Sequence, residues 1–209
     1  MSRRSAHAQR QNFGQKRLRV LVDLDGVLCD FEGYFLEKYR EKFPHEPFIP
    51  LEERKTFYLR DQYAKLRPDL PDKVRDIYNA EGFFLNLPEI EGGCDAVKEM
   101  VQMEDVDVFI CTSTLQYYKY CLQEKWVEEH LGSNWLDKII LTKDKTMANG
   151  HILIDDRPII KGACQPPPWQ HVLFTTSFNR SIDLNGRQRL DSWTDGKWRE
   201  IIEDFKKRV

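Results

Sequence analysis

Short apolar runs that end in polar residues recur along the chain. The first covers residues 18 to 22, contains two valines and one arginine, and ends at Asp23. Runs of this length without alternation are typical of strands that are buried on both faces of a parallel sheet. The same pattern predicts four further strands, over residues 106 to 111, 136 to 141, 151 to 154 and 171 to 174.

About sixty residues with helical spacing separate the first strand from the second. Aromatic residues recur between Phe31 and Phe43 at intervals that predict an amphipathic helix. Prolines then interrupt the pattern, a second helix is predicted over residues 51 to 66, and Pro71 suits the start of a third that ends near Tyr78. We expect these helices to form a small cap inserted after the first strand.

Helices alternate with strands beyond residue 91. Helical patterns cover residues 92 to 102 and 116 to 131, and a predicted strand follows each of them. Such alternation implies right-handed crossovers and a parallel sheet with helices on both faces. The predicted fold class is therefore α/β, a Rossmann-like three-layer core with a parallel sheet and a helical cap. The predicted domains are a core of residues 17–30 and 91–209 and a cap of residues 31–90.

The predicted strands end in polar groups whose chemistry is complementary. In chain order, four strands are followed by a carboxylate pair, a hydroxyl pair, a lysine and a second carboxylate pair: Asp23 and Asp25, Thr112 and Ser113, Lys145, and Asp155 and Asp156. Because parallel strands end at the same edge of a sheet, these groups can meet in one crevice. Adjacent carboxylates repel each other unless a cation such as Mg²⁺ lies between them. Together with hydroxyl and ammonium groups, they suit a phosphate monoester and its transition state.

Each feature also has a purely structural interpretation. Asp and Gly are ordinary turn residues, so the segment after the first strand could be an Asx-type turn. The pair Asp155-Asp156 could equally end a strand in a plain turn, Lys145 could be a solvated surface lysine, and the aromatic residues of the cap could be core. The order of all these features along one chain favours the chemical interpretation over the structural one.

Composition and charge narrow the class of protein. Hydrophobic residues make up 41% of the 209, a fraction typical of a globular chain. Residues 1 to 22 contain six basic residues and no acidic one, so the rest of the chain carries 26 basic and 34 acidic residues. A net-acidic body argues against binding to a nucleic-acid polymer, and no apolar run approaches the ~20 residues that a membrane helix needs. We expect a disordered basic tail over residues 1–16, although its Arg-rich character overlaps with mitochondrial presequences.

The order Asp-x-Asp-Gly, Thr-Ser, Lys and Ile-Asp-Asp resembles the haloacid-dehalogenase-like (HAD) phosphatases. More narrowly, the chain resembles the 5′(3′)-deoxyribonucleotidase family over about residues 18 to 205. The stretches that carry this closer resemblance are Val-Leu-Val-Asp-Leu-Asp-Gly-Val-Leu-Cys-Asp-Phe-Glu, Gln-Tyr-Ala-Lys-Leu-Arg-Pro-Asp-Leu, Val-Phe-Ile-Cys-Thr-Ser, Leu-Thr-Lys-Asp-Lys-Thr and Leu-Ile-Asp-Asp-Arg-Pro. The resemblance implies magnesium-dependent release of phosphate from deoxyribonucleoside 5′- and 3′-monophosphates.

The resemblance also implies a role for each matching residue. Asp23 would attack phosphorus and form an aspartyl phosphate, and Asp25 would protonate the leaving oxygen and then activate water. The Asp23 carboxylate, the Asp25 main-chain carbonyl and Asp156 would hold Mg²⁺, with Asp155 in the supporting shell. The remaining matched positions would bind substrate: Thr112, Ser113 and Lys145 the phosphate, and Phe31, Phe57 and Tyr78 the base and sugar.

Two other functions stay open on the sequence alone. A phosphatase of the same fold could act on sugar phosphates or phosphoglycolate, and a non-enzymatic phospho-acceptor domain also gathers acids, a hydroxyl and a lysine at one sheet edge. Asp25 argues against the second, because a stable switch gains nothing from a built-in acid/base. From the family we further expect a homodimer without membrane partners, located in the cytosol, with the mitochondrion as the alternative.

Overall fold

The computed structural model describes residues 17–113 and 122–209. Within them, six strands form one parallel sheet in the order β3-β2-β1-β4-β5-β6. The strands are β1 (Leu18–Val22), β2 (Val106–Thr112), β3 (Ile139–Leu141), β4 (Ile152–Asp155), β5 (Gln170–Phe174) and β6 (Gln188–Leu190). The α/β class with a parallel sheet is confirmed. The predicted tail of residues 1–16 and the first part of the helix predicted from residue 116 lie outside the described residues.

Strand β1 lies where the order of the strands in the sheet reverses, with β2 on one side and β4 on the other. Val22 is aligned with Ile110 of β2 on one side and with Ile154 of β4 on the other. The chain builds β2 and β3 outward from one side of β1 and then returns to build β4, β5 and β6 on the other. The crevice at such a reversal, beyond the carboxyl ends of the strands, is where open α/β sheets bind ligands. The residues that follow β1 therefore lie at the natural site of this fold.

Alternate residues of the central strands enter two separate hydrophobic clusters. Val20 and Val22 join the larger cluster, which contains the buried side chains of the helices, whereas Leu21 joins a smaller cluster on the opposite face. The buried residues that cover this second face from outside the strands are Ala148 and Trp169, which lie in connecting segments. In the described part of the chain, irregular segments thus cover a face for which the alternation of elements predicted helices.

Six α-helices are present among the described residues: α1 (Phe31–Lys42), α2 (Leu59–Leu66), α3 (Leu70–Tyr78), α4 (Gly93–Met100), α5 (Leu122–Leu131) and α6 (Lys197–Lys206). The side chain of Asp30 begins α1 by accepting a hydrogen bond from the Gly33 amide at 2.9 Å. Buried residues of α1, α2 and α3 belong to the same cluster as the helix-covered face of the sheet. The inserted helices therefore share one continuous core with the sheet. The division into domains at residues 30 and 91 stays a prediction.

The continuous helix predicted over residues 51 to 66 is wrong. The structure has a 3₁₀ turn at Leu51–Glu53, an irregular segment, and then α2. Side chains take up the backbone groups between the two elements: Arg54 donates to the Thr56 carbonyl at 3.0 Å, and Gln62 accepts from the Lys55 amide at 2.9 Å. Because these groups already have partners, the backbone does not need the hydrogen bonds of a helix.

Three further elements differ from the sequence-based expectation. Residues 136 to 138 belong to a 3₁₀ helix, Ser133–Lys138, so β3 is only three residues long. Strand β6 is a short edge strand, Gln-Arg-Leu, that lacks any apolar run. Helix α6 was missed although its apolar positions, Trp198, Ile201, Ile202 and Phe205, follow helical spacing.

A search for membrane-crossing helices among the described residues found none of the required length and apolarity.

Candidate active site

A tight turn places two carboxylates directly after β1. The Asp23 amide donates to the Ile154 carbonyl at 2.9 Å, which continues the β1 to β4 pairing one residue beyond the strand. Gly26 then adopts a positive φ of 80°. A Cβ atom at this position would lie 2.2 Å from Oδ2 of Asp156, so only glycine lets the turn approach that carboxylate. The Asp-Gly segment is thus a turn, and the turn brings the ends of β1 and β4 together.

Three carboxylates and one ammonium group meet at the ends of β1 and β4. Oxygen atoms of Asp23, Asp155 and Asp156 all lie within 4.8 Å of one another. The Nζ atom of Lys145 lies 2.6 Å from Oδ1 of Asp23 and 2.6 Å from Oδ2 of Asp155. The side chain of Lys145 is only 9% exposed, so the sequence-based alternative of a solvated surface lysine is wrong. These four side chains form the acidic cluster.

The electrostatics of the acidic cluster leave a deficit of positive charge. Burial raises the pKa of Asp23 to about 7, against the opposing charge of Lys145. Burial and the charges of Asp155 and Asp23 also raise the pKa of Asp156. Burial alone would lower the pKa of Lys145, but the two carboxylates raise it on balance, so this group is a cation. Its single charge does not match three acids, and Asp156 has no ion-pair partner among the described residues.

The donor set fits a divalent cation. Clustered carboxylate oxygens are the hard ligands that Mg²⁺ prefers, and Mg²⁺ is usually held by only a few protein carboxylates together with water and substrate phosphate. A second cation beside Asp156 would also relieve the repulsion that raises the carboxylate pKa values. The residues present therefore suit Mg²⁺, the cation that the sequence predicted for them.

Surrounding hydrogen bonds hold the cluster in place. Lys145 begins a 3₁₀ turn capped by Asp144, whose carboxylate accepts from the Thr146 amide at 2.9 Å and from the Ala163 amide at 2.7 Å. On the other side, the Asn179 side chain donates to the Asp156 carbonyl at 2.8 Å. The flanking loops thus fix the backbone of both residues, which limits the freedom of their charged groups.

Asp25 lies at the boundary between the acidic cluster and a cavity. Burial raises its pKa to about 6, and the thiol of Cys29, which donates to Oδ1 at 3.4 Å, opposes that rise. A carboxyl group with such a pKa can hold or release a proton near neutral pH, as a general acid and base must.

The cavity next to Asp25 has a volume of about 740 Å³. Six of its fifteen lining residues are aromatic, and Asp25 and Asp156 line it as well; the aromatic residues are Phe31, Phe57, Tyr58, Tyr78, Phe84 and Phe178. The three predicted substrate residues of the cap therefore line one cavity together with two of the predicted catalytic and metal residues. This size and lining are typical of a small-molecule site.

The predicted phosphate-binding hydroxyls lie at the same edge of the sheet. Thr112 is the buried last residue of β2, the neighbour of β1, and its carbonyl accepts from the Thr142 amide at 3.0 Å. Ser113 follows in an exposed position, and its carbonyl accepts from the Gln123 side chain at 3.3 Å. The segment after Ser113 lies outside the described residues.

Sequence reasoning missed several residues of the cavity region, among them the following four. Glu32, Tyr58 and Phe178 line the cavity, and Arg157 donates from Nη2 to the Tyr58 hydroxyl at 2.8 Å. The sequence contained a signal for Arg157, because this residue directly follows the second carboxylate pair. No periodic pattern identifies Phe178, because the loop after β5 reaches the cavity only through the fold.

Comparison with known proteins gives one consistent set of relatives. Residues 16–203 match the family model described as "5′ nucleotidase, deoxy (Pyrimidine), cytosolic type C protein". The chain is 51% identical to the human cytosolic-type 5′(3′)-deoxyribonucleotidase over 191 residues, which cover 90% of this chain and 94% of that protein. It is 49% identical to the human mitochondrial 5′(3′)-deoxyribonucleotidase over 193 residues, which cover 91% and 84%.

Solved structures of similar fold are more distant in sequence. A HAD family hydrolase from Deinococcus radiodurans, with bound phosphate and sodium, has a TM-score of 0.58 at 14% identity and covers 90% of this chain and 97% of that one. A haloacid dehalogenase-like hydrolase from Streptococcus pneumoniae has a TM-score of 0.58 at 14% identity, with coverage of 91% and 99%. At this identity the similarity shows the shared fold alone.

Proposed function

The chain belongs to the family of 5′ nucleotidases, deoxy (pyrimidine), cytosolic type C, and from that premise we propose that it converts deoxyribonucleoside 5′- and 3′-monophosphates, such as dUMP and dTMP, to nucleoside and phosphate. It is a phosphoric monoester hydrolase with a HAD-type fold. One observation carries the proposal to this site: Asp156 of the acidic cluster, together with Asp25, lines an aromatic-rich cavity large enough for a nucleotide. The cluster suits a phosphate, and the aromatic walls suit a base.

We assign the metal site to the acidic cluster. Asp23, Asp156 and the main-chain carbonyl of Asp25 would hold Mg²⁺, with Asp155 as a supporting residue. When bound there, Mg²⁺ supplies positive charge that neutralises and orients the substrate phosphate. The mutual distances of the carboxylates and the missing positive charge support this assignment.

Two aspartates carry the proposed reaction. A carboxylate oxygen of Asp23 attacks phosphorus while the bond from phosphorus to the nucleoside oxygen breaks, and Asp25 gives its proton to that leaving oxygen. Water then attacks the aspartyl phosphate, Asp25 takes a proton from it, and phosphate leaves as the Asp23 carboxylate is restored. Lys145 holds the nucleophile, as its 2.6 Å contact with Asp23 supports, and neutralises phosphate charge together with the donors Thr112 and Ser113.

The cap residues would determine which phosphomonoester enters. Phe31, Phe57 and Tyr78 are the proposed contacts to base and sugar, because all three line the cavity beside Asp25. Aromatic faces stack favourably on a nucleobase, and their apolar character suits a sugar without a 2′-hydroxyl.

The function is tested by phosphate release from dUMP and UMP, each in matched 5′ and 3′ forms. We expect release to favour the deoxy forms and to stop when a chelator removes the metal, with activity restored by added Mg²⁺ but not by Ca²⁺, whose larger coordination shell fits the site less well. Product is measured as inorganic phosphate under initial-rate conditions.

The alternatives predict different results in the same assay. Release from sugar phosphates or phosphoglycolate but not from nucleotides would keep the reaction and replace the substrate. A chain that becomes phosphorylated by a small phosphodonor without turnover would instead be a phospho-acceptor domain.

Assembly and location rest on the family alone. We propose a homodimer, which sedimentation equilibrium measures directly. We propose the cytosol as the location, although the chain is nearly as similar to the human mitochondrial protein as to the cytosolic type. Imaging of a fluorescent fusion at the C-terminus against a mitochondrial marker distinguishes the two locations.

A further inference from the structure

A buried ion pair lies beside the aromatic cavity, outside the acidic cluster. Nε of Arg54 donates to Oε2 of Glu32 at 2.7 Å, and Nη2 of Arg54 donates to Oε1 at 3.1 Å. The two side chains are 1% and 10% exposed, and Glu32 lines the cavity next to Phe31. Two parallel hydrogen bonds fix the orientation of the arginine as well as its distance.

The remaining donors of Arg54 organise the segment that leads to Phe57. Nη1 donates to Oε1 of Gln62 at 2.6 Å, and Nη2 donates to the Thr56 carbonyl at 3.0 Å. Gln62 in turn donates to the Glu53 carbonyl at 2.7 Å. The segment that leads to Phe57 is irregular and is held by side chains. Arg54 and its partners therefore determine the position of the Phe57 backbone.

The same ion pair reaches across to the core. The Ser177 hydroxyl donates to Oε2 of Glu32 at 3.3 Å, and the Arg54 guanidinium lies 6.0 Å from the ring centre of Phe178. Phe178 then meets Phe57 edge to face, with ring centres 5.6 Å apart. The ion pair therefore contacts α1, the segment before α2 and the loop after β5, all of which contribute to the cavity wall.

Stability alone is a weak reason for a buried ion pair. Its desolvation penalty often cancels the attraction, so an apolar pair of similar volume can serve as well. A fork of directed hydrogen bonds offers geometry that apolar packing does not. A positioning role therefore explains the ion pair better than stability does.

We propose that Glu32 and Arg54 are positioning residues that hold Phe57 and Phe178 as the base-recognising wall, and so set the preference of the enzyme for nucleotides over phosphomonoesters that lack a base. The inference rests on the proposed function and deepens it. Neither residue takes part in the chemical steps.

The test compares two substrates in the variant Arg54→Met, which keeps an unbranched apolar stem but has no hydrogen-bond donors. The substrates are dUMP and 2-deoxyribose 5-phosphate, which is dUMP without its base. We expect the ratio of the two kcat/KM values, dUMP over 2-deoxyribose 5-phosphate, to fall by about tenfold, because stacking on a misplaced wall is lost. A ratio is independent of the fraction of folded enzyme, so a general loss of stability does not change it.

Two further variants complete the experiment. Arg54→Lys keeps the charge but not the fork, so its ratio should lie between those of the wild type and Arg54→Met. Arg67→Met removes an arginine that directly follows α2 and pairs with Glu46 and Asp69 at the surface, where its side chain is 43% exposed. This variant should leave the ratio unchanged. If Arg54→Met is insoluble, Arg54→Lys carries the measurement.

An unchanged ratio in Arg54→Met, whether or not activity on both substrates falls, would overturn the positioning role and leave the pair as a structural element. A wild-type enzyme that does not hydrolyse dUMP would instead overturn the proposed function, before any variant is compared.

Discussion

The variant Asp23→Asn is expected to lose phosphate release from dUMP by a factor of about 10⁴ or more, since the proposed covalent route has no other nucleophile. An amide oxygen is a poor nucleophile and cannot form the aspartyl phosphate. The change is nearly isosteric and keeps the site's shape, although it weakens the 2.6 Å contact with Lys145. Initial rates at saturating dUMP and Mg²⁺ measure the loss.

A surface aspartate provides the control for this variant. Asp107 lies on β2 and pairs with Arg17 at 3.0 Å in a half-exposed position, far along the strand from its carboxyl end. Asp107→Asn should keep the wild-type rate, and both variants should unfold at temperatures within a few degrees of the wild type. Substantial turnover by Asp23→Asn would rule out the aspartyl-phosphate route.

The acidic cluster was predictable because each of its residues is marked by its own neighbours in the sequence. Each carboxylate or lysine follows an apolar run within a few residues, and a parallel sheet brings all such ends to one edge whatever the details of the connections. The structure places Asp23 and Asp155 at the ends of neighbouring strands, both in contact with Lys145. Their order along the chain was enough to propose a shared site before any distance was known.

The cavity wall was less predictable because its contacts join distant segments. Glu32, Arg54 and Ser177 are far apart in sequence, and each looks like an ordinary polar residue in its own neighbourhood. The helix predicted over residues 51 to 66 failed for a different reason, since Arg54 and Gln62 of the same segment satisfy its backbone groups with their side chains. Periodicity reports which face of an element is buried but not which polar partners meet across the fold.

The short elements at the edges of the sheet show a second limit. Strand β6 has three residues, two of them polar, and it forms because β5 offers an open edge beside it. Nothing in the sequence Gln-Arg-Leu distinguishes it from a loop. The apolar spacing of α6, by contrast, was readable from the sequence and would have extended the predicted α/β alternation to the C-terminal region.

The variant Asp25→Asn separates the two chemical steps. We expect turnover of dUMP to fall by about 10²- to 10⁴-fold, because the nucleoside alkoxide is strongly basic and cannot leave without a proton. With p-nitrophenyl phosphate the leaving group is a weak base and needs no proton, so the first step should survive. The second step still needs a base to activate water, so the phosphoenzyme on Asp23 should accumulate.

Rapid mixing of Asp25→Asn with p-nitrophenyl phosphate should therefore release one p-nitrophenolate per active site in a burst, followed by slow turnover. Asp23→Asn should give no burst, because it lacks the group that accepts phosphorus. Asn retains the main-chain carbonyl at position 25, so the proposed metal contact of that residue is kept. Equal losses on dUMP and p-nitrophenyl phosphate without a burst would show that Asp25 acts on the nucleophilic step rather than as the acid and base. A burst confined to Asp25→Asn would assign nucleophile and proton donor to two carboxylates that the sequence places two residues apart.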